Sequence, residues 1–135
     1  MDPDLHFSQL LAAAAAQPEP QRLLFVFAGA ELPDNATPEQ RERFQSGRGG
    51  ALAPLMCVDK APKEIADFPA LVAEAERAGP PWSVVVAACL SGQAGRQPDK
   101  ARIDLALETM VEAVRAGRID GFAAYGPRGD FLDIG

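Results

Sequence analysis

The sequence predicts a single α/β domain: a mostly parallel sheet of about five strands, covered by helices and ending in a C-terminal antiparallel hairpin. Three observations carry that expectation. Leu23-Leu24-Phe25-Val26-Phe27-Ala28 has no polar face, as befits a strand buried on both sides. Runs of this kind alternate with helical stretches in the order α-β-α-β-α-β-α-β-β, which implies helical crossovers between parallel neighbours. The length of 135 residues matches one domain with a self-sufficient core.

The first 20 residues read as an N-terminal helix and a proline-rich connection. Phe7, Leu10, Leu11 and Ala14 repeat at helical spacing over Leu5 to Ala16, with Asp4 as a cap, and Pro18 and Pro20 stop the helix. The apolar strand from Leu23 follows, then a polar loop from Gly29 to Ala36. Thr37-Pro38-Glu39-Gln40 carries a capping residue, an N1 proline and a capping-box partner, so a short helix starts there and stops by Gly47. A strand is expected around Leu55 to Asp59. Pro62 opens a helical region whose stripe is Ile65, Phe68, Leu71, Val72 and Ala75, with a kink or restart at Pro69. Trp82 to Leu90, with three consecutive valines, is the clearest strand. Asp99 caps the longest helix, which buries Ile103, Leu107, Met110 and Val114 and closes at Gly117. Phe122 to Tyr125 and Phe131 to Ile134 flank a Gly/Pro/Asp turn and form the hairpin.

Charge and composition narrow the functional classes. Thirteen basic against nineteen acidic residues leave a net charge of -6, which argues against nucleic acid and against an anionic membrane surface. Leu10 to Ala16 is preceded by acidic residues, the wrong flank for a secretory signal, and no run approaches the roughly 18 apolar residues of a membrane span. A cytoplasmic protein with reduced cysteines is expected.

The side chains that carry chemistry are sparse. Cys57 and Cys89 fall within apolar strands, which predicts two buried, inert thiols. His6 is the one histidine, so neither a catalytic triad nor a metal site is expected, and no cofactor. Ser91 lacks the glycine two residues earlier that a nucleophile elbow requires. Gly92-Gln93-Ala94-Gly95-Arg96 lies between strand and helix without a complete phosphate-loop motif. Its amides, with Arg96 and the following helix start, could still hold a small anion. In a parallel sheet, ligands bind beyond the carboxyl ends of the strands. That edge would gather Ser91, Gly92, Gly95 and Arg96 with Glu31 and Asp59, the candidate ligand-binding residues.

Two longer segments, Gln17 to Pro33 and Ala53 to Lys60, resemble a family of small bacterial proteins often labelled "ribonucleotide reductase subunit alpha". Thr37-Pro38-Glu39-Gln40 and Ala116-Gly117-Arg118-Ile119 extend the likeness over nearly the whole chain. The resemblance implies a link to deoxynucleotide synthesis. Ribonucleotide reduction uses one cysteine to carry a radical and two to reduce the ribose. With two cysteines in all, the chain is not expected to be the catalytic subunit, and no residue role carries over.

The functional expectation is a non-catalytic binding or regulatory protein. It would act through a protein partner or a small anionic ligand, with a homo-oligomer open. The alternatives are a small enzyme with its site at the carboxyl-end loops, and a pure protein–protein interaction module.

Overall fold

Strand β1 (Gln21–Glu31) is the axis of the molecule, flanked on both sides by antiparallel partners. The computed structural model describes residues 5–31, 37–45, 51–119 and 122–132. Around β1 lie helix α1 (Leu5–Ala15), helix α2 (Pro38–Gln45) and strand β2 (Ala51–Lys60). A 3-10 turn (Pro62–Glu64), helix α3 (Phe68–Ala78), strand β3 (Val84–Ser91), helix α4 (Lys100–Arg115) and strand β4 (Ala123–Tyr125) follow.

The sheet order is β2-β1-β3-β4, and every neighbouring pair is antiparallel. The expected mostly parallel five-stranded sheet is therefore overturned. The apolar character of β1 on both faces reports that both faces are covered, and strand direction is a separate matter. Leu23, Phe25 and Phe27 pack under α1 and α3, against Phe7, Phe68 and Leu71. Leu24, Val26 and Ala28 pack under α4, against Leu107, Met110 and Val114. Each fully buried large side chain contributes about 1.5–3 kcal/mol relative to exposure, which explains why an all-apolar strand takes this central place. The crossover logic does hold for one pair. β2 and β3 both oppose β1, so they run in the same direction, joined through α3 with β1 inserted between them.

Local signals place the elements well. Asp67 accepts the Ala70 amide at 2.9 Å and caps α3, with Pro69 in its first turn, so the helix restarts there instead of kinking. Asp99 caps α4 through the Arg102 amide, and Gly117 follows the helix at φ 72°. The ladder between β1 and β2 slips between Phe27 and Ala28, leaving Leu55 unpaired beside Pro54, which has no amide to donate. The terminal hairpin has Gly126 donating to Asp130 and an antiparallel bridge between Tyr125 and Phe131. The Gly47 stop and residues 133–134 lie outside the described residues.

Candidate functional site

Antiparallel pairing separates the residues that a parallel sheet would have gathered. Gln21 opposes Ser91 and Leu24 opposes Asp59, so Ser91 and Asp59 share one end of the sheet. Glu31 opposes Ala51 at the other end, about 30 Å away along β1. Of the candidate ligand residues, Ser91, Gly92, Gly95, Arg96 and Asp59 are brought to one end, and Glu31 is not.

At that end the chain satisfies its own polar groups. Gln93 and Arg96 exchange backbone hydrogen bonds at 3.1 and 2.9 Å around Ala94 (φ 53°) and Gly95 (φ 75°), the geometry of a type I′ turn. The Gly95 amide donates to Glu19 Oε2 at 2.9 Å, so a carboxylate of the chain itself occupies the donor an external anion would need. Gly92 donates to the Pro20 carbonyl at 2.8 Å, and a Cβ on it would lie 1.8 Å from the Arg96 carbonyl oxygen. Ser91 Oγ accepts from Gln21 Nε2 at 2.8 Å. Asp59 pairs with Arg22 at 2.7 Å, and Arg22 reaches Glu64 at 3.1 Å. The Ala61 amide, donating to Glu64 Oε1 at 2.7 Å, holds the Glu64 carboxyl below its ordinary value, with Arg22 and Lys60 acting in the same direction against desolvation. Arg96 is exposed.

Both thiols depart from the expectation of burial. Cys57 and Cys89 are exposed, because each sits on a strand beyond the reach of full cover. Cys57 opposes Val26 on edge strand β2, where it lines a groove of about 640 Å³ beside the charged face of α4 (Asp104, Glu108, Glu112 and Arg115). Cys89 lies past the end of β4, which pairs only with Val85–Ala87. Packed atoms beneath its sulfur push its thiol up from the ordinary value.

An apolar concavity lies where that short β4 ends. β3 continues for four residues, Ala88–Ser91, with β1 on one side and no strand on the other among the described residues. Beside this free edge a groove of about 410 Å³ is lined by Ala88, Leu90, Leu105, Met110 and Phe122. Leu105 is 65% exposed on the outer face of α4. Arg102 is the one charged side chain among the described residues that line the groove, and its Nη2 donates to the Ser91 carbonyl at 3.2 Å. Sequence periodicity alone would have flagged Leu105, an apolar residue off the buried stripe of its helix.

A second cluster escaped the sequence reading because its members are far apart in the chain. His6 Nδ1 lies 2.7 Å from the Tyr125 hydroxyl, and the His6 ring stacks on Phe131 at 3.9 Å between centroids. Tyr125 is fully buried, and its phenol is pushed up to about 12 by desolvation, with the nearby Cys89 adding to the shift. A phenol so placed stays neutral and serves as a hydrogen-bonding anchor for α1.

Among the described residues no three His, Cys, Asp or Glu side chains converge as metal ligands, and no helix is long and apolar enough to cross a membrane. Comparison with protein-family models, curated proteins and solved structures gives no match.

Proposed function

We propose that the protein is a non-catalytic binding or regulatory protein that holds an apolar portion of a protein partner in the groove between α4 and the end of β3. The observation that carries this reading is Leu105, 65% exposed at the lip of a mostly apolar concavity. Exposed apolar surface that is grouped and concave marks interaction sites more often than scattered single residues do. The net charge of -6 favours a protein partner over nucleic acid. The proposed setting is the cytoplasm, where exposed Cys57 and Cys89 would stay reduced. The family resemblance supports a partner in nucleotide metabolism. The chain itself is proposed to lack ribonucleotide reductase activity, since that chemistry uses three thiols and the chain has two.

The test is capture from native lysate with tagged wild-type protein and with Leu105→Glu, after matched circular dichroism spectra and melting temperatures. A protein retained by the wild type and lost with Leu105→Glu is the expected result. Equal capture by both would refute the groove as the binding surface.

A further inference from the structure

We infer that a pocket at the C-terminal end of α3, on the face of the sheet that α1 and α3 cover, receives an arginine side chain of a protein partner. Glu76, Gly79, Pro80, Pro81, Trp82 and Pro127 line this pocket of about 350 Å³. It is separate from the groove beside α4 and does not rest on that reading.

Local sequence builds the walls. Gly79 ends α3 with its amide on the Ala75 carbonyl at 3.1 Å, and a Cβ there would lie 2.8 Å from Met56 Sδ, so glycine lets the chain turn close against β2. Trp82 then packs across Phe27, with 5.0 Å between ring centroids and 73° between planes. Ser83 leads into β3 with its amide on the Ala28 carbonyl at 2.8 Å. Pro127 is carried on a turn in which Gly129 donates to the Gly126 carbonyl at 3.0 Å.

Three features of the pocket favour a cation. The first is the helix end. In a continuing helix the carbonyls of Glu76 and Arg77 would accept from residues 80 and 81, which are prolines and have no N–H. Among the described residues no donor reaches the carbonyls of Glu76, Arg77 or Ala78, which carry the negative end of the helix dipole. The second is Glu76, the one charged side chain among the described residues that line the pocket, and it enters no ion pair among them. The third is Trp82, half-buried, whose ring type attracts cations most strongly. Arg77 and Arg128 adjoin Glu76 and Pro127 in sequence, yet neither lines the pocket or pairs with Glu76. Glu74, nearby on the same helix, is spent on Lys60 at 2.9 Å.

The shape favours arginine on a partner over a free small cation. Pro80, Pro81 and Pro127 are exposed, so the pocket is open and cannot enclose a small ligand. A tethered side chain is held as well by the chain that carries it. A planar guanidinium can lie on the indole while its edge donates to a carboxylate and to carbonyls, which the compact ammonium of lysine does less well. The net charge of -6 draws a basic partner toward this surface.

Trp82 is the one tryptophan in the chain, so its emission reports this pocket alone. The protein is titrated at constant ionic strength with the Nα-acetyl amides of arginine, citrulline and lysine, and with tetramethylammonium. The expected result is a saturable change with the arginine compound, none with neutral citrulline, and weaker binding of the other two cations. Glu76→Gln should weaken the arginine compound about three- to fivefold, the range of an exposed charge pair. Glu74→Gln removes the same charge from the same helix outside the pocket and should leave binding unchanged, as should Leu105→Glu.

Equal responses to arginine and citrulline, a change that never saturates, or no change at all overturns the inference. So does equal weakening by the two glutamine variants, which would reduce the effect to overall charge. Tighter binding of the lysine compound or of tetramethylammonium identifies a different occupant and overturns it too. In each of these cases loss of partner capture by Leu105→Glu would leave the groove reading standing. Equal capture by wild type and Leu105→Glu removes that reading by itself.

Discussion

His6 on the first helix and Tyr125 on the last strand meet at 2.7 Å, Nδ1 to hydroxyl, across a separation of 119 residues. With the imidazole neutral and its proton on Nε2, the phenol donates and Nδ1 accepts. The contact ties α1 to the edge of the sheet, where Phe7 also packs edge-on against Tyr125 at 5.4 Å. Tyr125→Phe keeps that packing and removes the hydroxyl. Because His6 is exposed and can turn to water, the expected loss is modest, about 0.5–1.5 kcal/mol in urea denaturation.

The same phenol sets an alkaline limit on stability. Its folded pKa is about 12 against an ordinary value of 10.0, so the folded state keeps the proton that the unfolded chain releases. The contribution is complete below pH 10 and is lost as pH rises from 10 toward 12. Tyr125 is the one tyrosine in the chain, so tyrosinate absorbance reports it alone. A titration midpoint near that of free tyrosine in the folded protein would contradict its burial.

Glu64 acts at the acid side with the opposite sign. Its folded pKa lies below the ordinary 4.5, chiefly because the Ala61 amide donates to it, so its contribution is present above that value. It is lost as pH falls through the folded value. Glu64→Gln should lower the urea midpoint at pH 7, where the contribution is present, and flatten the decline of the midpoint below pH 4.5. An unchanged acid profile in the variant would show that the Ala61 contact does not matter to folding.

The elements were legible in the sequence, and their arrangement was not. Asp67, Pro69 and Asp99 speak through neighbours within three or four positions, so the helix starts at α3 and α4 follow from local chemistry. The apolar run from Leu23 announced a strand covered on both faces, and α1, α3 and α4 provide that cover. Direction depends on how β1 pairs with two strands far along the chain, which no periodicity records. That one error moved Glu31 to the wrong end of the site. It also hid the short reach of β4, and so the exposure of Cys89. The sequence reading offers the Gly95 amide to an external anion, whereas in the structure it donates to the chain's own Glu19.

Exposure of the thiols has a direct chemical consequence. Both Cys57 and Cys89 should react with iodoacetamide in the native protein without added denaturant. Desolvation raises the Cys89 thiol above its ordinary value, so its rate should climb later with pH than that of a free cysteine. Peptide mapping after timed quenching separates the two sites. A Cys89 that reacts only after unfolding would place it in the core and contradict the free edge of β3.

The turn after β3 offers paired changes of opposite sign. Ala94 sits at φ 53° and Gly95 at φ 75°, both in the left-handed region that a type I′ turn demands. Gly95 meets the demand at no steric cost, whereas Ala94 brings its Cβ close to the following carbonyl. Asparagine tolerates this region better, and Asn-Gly is the favoured pair in such turns. Ala94 is exposed, so the larger side chain meets no packing obstacle. Ala94→Asn should therefore stabilise the protein by about 0.5–1 kcal/mol. Two positions earlier the sign reverses. A Cβ on Gly92 would sit 1.8 Å from the Arg96 carbonyl oxygen, a backbone atom that cannot swing aside like a side-chain end. Gly92→Ala must open the turn or shift the Gly92 bond to Pro20, at a cost of about 1–3 kcal/mol or more. Urea midpoints of the two variants against the wild type decide the matter. Midpoints that move together, in either direction, would show that the left-handed pair and the close approach do not define this loop.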